Sequence, residues 1–215
     1  MLITFEGLKG CKKEIYMNDL AERLRRNRFP EVYCTKEPGF PDSPVSGIIG
    51  HLINKEPSTA PIEKLFLLLA DRAAHYEKFV APIINRKRES IVPGGYVPPY
   101  SPGVPGVVLS DRGPDSLIAY QGFGSQIAPI ELLVAMNSLA LRNVPVHFTF
   151  VIDIPEYDSD PNGDQEFLRR VRQGYRQIAQ MSPGRVHIID GTANADAIKN
   201  VIWKTVASSL GIVSQ

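Results

Sequence analysis

The chain predicts a three-layer α/β/α domain on a five-stranded parallel sheet, and three observations carry that expectation. Short apolar runs alternate with stretches of helical spacing along all 215 residues, the rhythm of parallel strands joined by crossover helices. The first run feeds a glycine-containing turn and then a helical pattern, which is how such a sheet opens. The length suits one α/β domain with a full core and is short for two. Residues 1–215 are therefore read as a single domain.

Taken in order, Met1 to Phe5 is the first strand, and Asp19, Leu20 and Leu24 mark the helix after it. Val32 to Thr35 is the second strand, stopped at Glu37-Pro38-Gly39, where proline and glycine turn the chain. Helices are expected over Ile48 to Ile53 and Ile62 to Ile84, the longer one carrying Leu65, Leu68, Leu69 and Ala73 on an apolar face. Val107 to Ser110 is a third buried strand that ends in Asp111-Arg112. A helix at Pro129 to Arg142, a strand at His147 to Asp153 and a helix at Gln165 to Met181 follow. The chain closes with a strand at Val186 to Asp190 and a helix through Trp203 to Leu210.

One stretch breaks the rhythm. Pro93 to Gly106 is built mainly of Pro, Gly and Tyr, which excludes it from a helix or a sheet interior. Two readings of it stand: an ordered surface loop, or a polyproline-type segment that docks a protein partner. A net charge of +1 gives no overall electrostatic case for binding nucleic acid or a membrane surface. No apolar run approaches membrane-spanning length. With Cys11 and Cys34 as the only cysteines and nothing like a secretory leader, a reduced, cytoplasmic setting is expected.

The turn after the first strand nearly spells a phosphate-binding loop. In the frame G-x-x-x-x-G-K-[ST], Gly7 and Lys13 are in place and Gly10 lies between them. Lys12 stands where the second glycine belongs, and Glu14 replaces the hydroxyl that ligates Mg²⁺. The motifs run in order: Phe5-Glu6-Gly7 at the loop, Glu37-Pro38-Gly39, Asp71-Arg72-Ala73, Ser110-Asp111-Arg112, then Ser116 with Ala119-Tyr120-Gln121-Gly122. Phe167, Arg170-Val171-Arg172 and Gly174-Tyr175 come near the end.

Together these motifs resemble the thymidylate kinase family of P-loop nucleoside monophosphate kinases over almost the whole chain. The resemblance implies transfer of the ATP γ-phosphoryl group to dTMP, with Mg²⁺ as cofactor, by a homodimer. Such chemistry rests on positioning and on neutralising developing charge. Carried over, Lys13 would reach the donor phosphates on a loop that includes Gly7, Gly10 and Lys12. Arg112 would hold the acceptor phosphate or the moving group, and Asp111 the metal or its waters. Glu37 and Pro38 would shape the monophosphate pocket, Arg72 and Gln121 would face the base, and Ser116 and Tyr120 would line the same cleft. Leu68 stands where the family places an aromatic ring that stacks on the base, with Phe66 able to compensate only through a shift of helix register. Tyr175 is read as a packing residue.

The chain departs from the family mainly on the donor side. Lys9 inverts the charge of a carboxylate the family usually carries. Lys12 puts a Cβ where backbone must approach phosphate closely, and Glu14 sets a second anion beside the triphosphate. The family's lid carries arginines, whereas Ile154 to Gln165 is short, acidic and free of arginine. Arginine clamps contribute factors of roughly 10³ to 10⁵ in related phosphoryl transfers. Arg169, Arg170, Arg172 and Arg176 follow, spread over different helix faces. Within the acidic segment, Asp158, Asp160, Asn162 and Gly163 match the start of a calcium loop, but Arg169 occupies its twelfth position, so a turn capping the next helix is the favoured reading. Three functional readings remain: a family member weak or inactive in catalysis that keeps its monophosphate pocket, an active kinase with an unusual loop, and a non-catalytic interaction module.

Overall fold

The computed structural model describes residues 1–27, 29, 31–40, 46–55, 60–85 and 106–212. Five parallel strands form one sheet in the order β2-β3-β1-β4-β5. The strands are β1 (Leu2–Gly7), β2 (Val32–Lys36), β3 (Val107–Asp111), β4 (Phe148–Asp153) and β5 (Val186–Asp190). Between and after them run α1 (Lys13–Arg26), α2 (Ser46–Lys55), α3 (Pro61–His75), α4 (Ala81–Asn85), α5 (Pro114–Leu117) and α6 (Ile130–Ala140). The remaining helices are α7 (Glu156–Ser159), α8 (Gln165–Met181) and α9 (Ala195–Ser209). Helix α3 reaches α4 through a π-helical stretch at Tyr76–Val80, and α5 continues into another at Ile118–Gly124.

Helix α8 and strand β5 begin and end where the sequence puts them. The helical stretch from Pro114 to Gly124 goes beyond what apolar spacing predicts. Its glycines are there for contact: a Cβ on Gly122 would come within 2.5 Å of Ile130, and one on Gly124 within 2.7 Å of Phe167 and Val171. The last helix also starts earlier than its apolar pattern suggests, with Asn194 capping it by accepting from the Asp196 amide. The Pro/Gly-rich insertion at 93–106 lies outside the described residues, apart from Gly106 at its end. Among the described residues no helix is long and apolar enough to cross a membrane.

A parallel sheet covered on both faces usually reads as continuous apolar strands. Here only one face is apolar through its centre, where Ile3, Phe5, Leu109, Phe150 and Ile152 lie buried. The alternate positions carry Thr4, Glu6, Thr35, Ser110 and Thr149, all buried and all on the opposite face by register. Side chains of α3, α5 and α8 answer several of them. His75 meets Thr35 at 2.9 Å, Asp115 accepts from Thr149 at 2.8 Å, and Tyr175 donates to Glu6 at 3.0 Å. Thr4, Glu6, Thr35 and Thr149, buried polar groups that cost several kcal/mol alone, are thereby paired, while the Ser110 hydroxyl has no partner among the described residues. They form the floor of the candidate site at the carboxyl ends of the strands, where open α/β sheets bind ligands.

Candidate active site

Two turns at the top of the sheet aim the acceptor-side residues. After β2, the Glu37–Pro38 bond is cis and Gly39 adopts φ 99°, a left-handed value that suits glycine. After β3, Arg112 itself sits at φ 68°, a conformation that costs a non-glycine residue roughly 1–2 kcal/mol. Its amide is fixed by the Phe5 carbonyl at 2.8 Å, so the strand pair holds the strained turn in place.

Glu37, Pro38, Leu68, Asp71, Arg72, Arg112, Ser116, Leu117, Tyr120 and Gln121 line one cleft of about 220 Å³. The acceptor-side residues singled out in the sequence thus stand together, and Asp71 and Leu117 join them. Phe66 is exposed on another face of α3, so only Leu68 faces this cleft from that turn. Arg72 is buried and heavily engaged. It donates to Glu37 at 2.8 Å, to Asn137 at 2.6 Å and to the Gly113 carbonyl at 2.9 Å. Against the desolvation imposed by burial, Arg72 and His75 hold the Glu37 carboxyl below its usual range. Arg112 donates to Ser116 at 3.1 Å and to the Tyr120 hydroxyl at 3.4 Å, with its guanidinium 5.0 Å from the Tyr120 ring centroid.

The donor side keeps the shape of its loop. A Cβ on Gly7 would lie 2.6 Å from the Ile152 carbonyl and 2.9 Å from the Cys11 sulfur, so glycine is required there. Lys12 adopts φ 56°, ψ 31°, the left-handed geometry a glycine would take at the entry to α1. Lys13 is buried, and its ammonium lies 3.3 Å from Asp111. Burial raises the Asp111 carboxyl, and Lys13 and Arg112 offset that only in part. Lys9, Gly10, Lys12 and Glu14 are exposed. A Mg²⁺ ion in such a site takes one or two carboxylates and substrate phosphates. Here the carboxylate is paired with Lys13 and the usual hydroxyl is Glu14, so these residues do not fit that ion well.

The lid segment folds onto the same loop. A Cβ on Gly10 would come within 3.6 Å of the Ser159 carbonyl. Every arginine of α8 is tied to an acid. Arg172 joins Asp153 and Glu156, Arg176 joins Asp153, and Arg169 and Arg170 join Glu166, Arg170 also donating to the Gly124 carbonyl. Asp164 caps α8 through the Phe167 amide at 3.0 Å, and Asp160 accepts from Asn162 in a local turn, so this segment is used as a helix entry. Among the described residues no cluster of three or more His, Cys, Asp or Glu is placed to hold a metal ion.

Sequence reasoning named Glu6 only within the Phe5-Glu6-Gly7 motif, without a role, and missed His75 and Asn137; all three support the cleft from below. The available signal was a polar residue at alternate positions of a buried strand, as in Thr4 and Glu6. Tyr175 packs in the core as expected, and its hydroxyl also bonds Glu6 and Ser116.

No family model matches the chain. Among curated proteins, it is 31% identical to a thymidylate kinase of Trichlorobacter lovleyi, covering 99% of each chain. It is 29% identical to a thymidylate kinase of Kosmotoga olearia, over 95% of this chain and 94% of that one. Among solved structures, the thymidylate kinase of Ehrlichia chaffeensis superposes with a TM-score of 0.76 at 28% identity, over 96% of this chain and 97% of that one.

Proposed function

The chain belongs to the thymidylate kinase family, and on that basis we propose that it keeps a nucleoside monophosphate pocket for a dTMP-like ligand while phosphoryl transfer from ATP is weak or lost. One contrast carries the reading. The acceptor cleft gathers Glu37, Pro38, Leu68, Arg72, Arg112, Ser116, Tyr120 and Gln121 around open space. On the donor side Lys13 is paired with Asp111, and the arginines after the lid are paired with acids. Phosphoryl transfer needs those cations free for the triphosphate.

A second reading, an active thymidylate kinase using ATP and Mg²⁺, is favoured by the geometry of Lys12, which keeps the loop in a phosphate-binding shape. Calorimetric titration with dTMP, then with ATP and Mg²⁺, followed by a turnover assay on the same sample, separates the two. Binding of dTMP without measurable ATP–Mg²⁺ binding supports the first. Ordinary ATP–Mg²⁺ affinity with dTDP production sinks it.

We propose a homodimer as well. Ile48 on α2, Ile62 and Phe66 on α3, and Leu132 and Leu139 on α6 are exposed on helices that pack side by side. Their spacing sets each pair on one helix face. A sedimentation mass of one chain at micromolar concentration would remove this proposal. The reduced cytoplasm is the proposed compartment, and free thiols at Cys11 and Cys34 suit it.

A further inference from the structure

Below the acceptor cleft, Glu6 near the end of β1 is the one fully buried strand carboxylate among the described residues, and it lies on the sheet's polar face. Its Oε2 accepts from the Ser116 hydroxyl in a short contact and from the Tyr175 hydroxyl at 3.0 Å, while Oε1 faces the Ser116 amide at 3.3 Å. Ser116 in turn accepts from Arg112 at 3.1 Å, the shorter of the guanidinium's two polar side-chain contacts. A serine hydroxyl has one proton and two lone pairs. With the proton drawn to Glu6, the oxygen is left to face Arg112.

We propose that Glu6 is the positioning residue for Arg112: by taking the Ser116 and Tyr175 hydroxyl protons it turns the Ser116 oxygen toward the guanidinium and fixes it at the acceptor phosphate. The proposal rests on reading the cleft as a monophosphate site. Without Glu6 the Ser116 hydroxyl is free to point its proton at Arg112, which replaces an attraction with a repulsion. Tyr120 alone then holds the guanidinium, through a 3.4 Å contact and its ring face. Burial, with Asp115 nearby, pushes the Glu6 carboxyl up to about 7, so pH 8 keeps it mostly ionised.

The test is affinity for dTMP against thymidine, which lacks the phosphate, measured at pH 8 on the full chain. The wild-type protein should prefer dTMP. Ser116→Ala and Glu6→Leu should each cut that preference about ten-fold while leaving thymidine affinity nearly unchanged, and the double variant should be no worse than either. Glu6→Gln, which still offers an oxygen to both hydroxyls, should retain most of the preference. Should Glu6→Leu fail to fold, Ser116→Ala and Glu6→Gln read the same relay. Equal wild-type affinities for the two ligands overturn the monophosphate reading and this inference with it. A wild-type preference that Ser116→Ala leaves intact, or a loss that Ser116→Ala shows equally for both ligands, overturns the positioning role alone.

Discussion

The acceptor and donor sides of the cleft use their charges differently. On the acceptor side, Arg72, Glu37, His75 and Asn137 satisfy one another beneath the cleft, and Arg112 is held at its edge by neutral hydroxyls. On the donor side, Lys13, Arg172 and Arg176 are neutralised directly by Asp111, Asp153 and Glu156. A guanidinium held by hydroxyls keeps its charge for an incoming phosphate, whereas a cation held by a carboxylate must first give that partner up. Loop shape and site chemistry are therefore separable. Lys12 takes the left-handed backbone of a phosphate-binding loop, while Lys12 and Glu14 depart from that loop's side-chain pattern.

The greatest loss of stability should come from the acceptor floor. Arg72→Met would leave Glu37 ionised and buried beside a half-satisfied network, which costs roughly 3–5 kcal/mol in stability. Lys13→Met on the donor side frees Asp111, which is partly exposed, and should cost about 1 kcal/mol or less. Urea denaturation of both variants measures the contrast. Similar losses would show that the two sides are equally built into the fold.

Next in size is a pH dependence centred on Glu6. Its carboxyl titrates at about 7 in the folded protein against 4.5 for an unperturbed glutamate, because burial and Asp115 disfavour its charge more than Arg112, Ser116 and Tyr175 favour it. Arg72 on α3, Arg185 before β5 and Tyr76 also feel its charge. A carboxyl raised on folding contributes stability that is fully present below pH 4.5 and lost as pH rises through about 7. The loss attributable to Glu6 is about 3 kcal/mol across that window. Glu6→Gln should therefore flatten the decline in unfolding free energy between pH 5 and pH 8. An unchanged slope would place the Glu6 charge in a better solvated setting than its burial indicates.

Much of this could be read from the residues, for reasons that differ by element. Helix α8 and strand β5 were legible because their apolar spacing is strong and their ends carry turn residues. The cleft residues were legible because the motifs keep their order along the chain. The helical stretch from Pro114 to Gly124 was hidden by glycines of low helix propensity, kept because Ile130, Phe167 and Val171 leave no room for a side chain. The pairing of Arg172 and Arg176 with acids was hidden because it depends on Asp153 and Glu156 arriving from β4 and α7. Glu6 could be read as part of the Phe5-Glu6-Gly7 motif, but its role was hidden, because Ser116 and Tyr175 reach it only once the fold brings them there.

The slightest change in stability separates loop shape from loop chemistry. Lys12 holds a left-handed conformation that glycine takes without strain, while glycine also gains freedom in the unfolded chain. The two effects partly cancel, so Lys12→Gly should raise stability by no more than about 0.5–1 kcal/mol in thermal or urea melts. Glu14→Ser lies on the exposed first turn of α1 and should leave stability almost unchanged. Their combination should nonetheless raise ATP–Mg²⁺ affinity well beyond either change alone, because one frees the backbone to approach phosphate and the other restores the hydroxyl and removes an anion. If the double variant binds ATP–Mg²⁺ no better than the wild type, the defect lies instead in the Lys13–Asp111 pair or the acid-bound arginines. Lys13 would then have to be released from Asp111 before any repair of the loop could count.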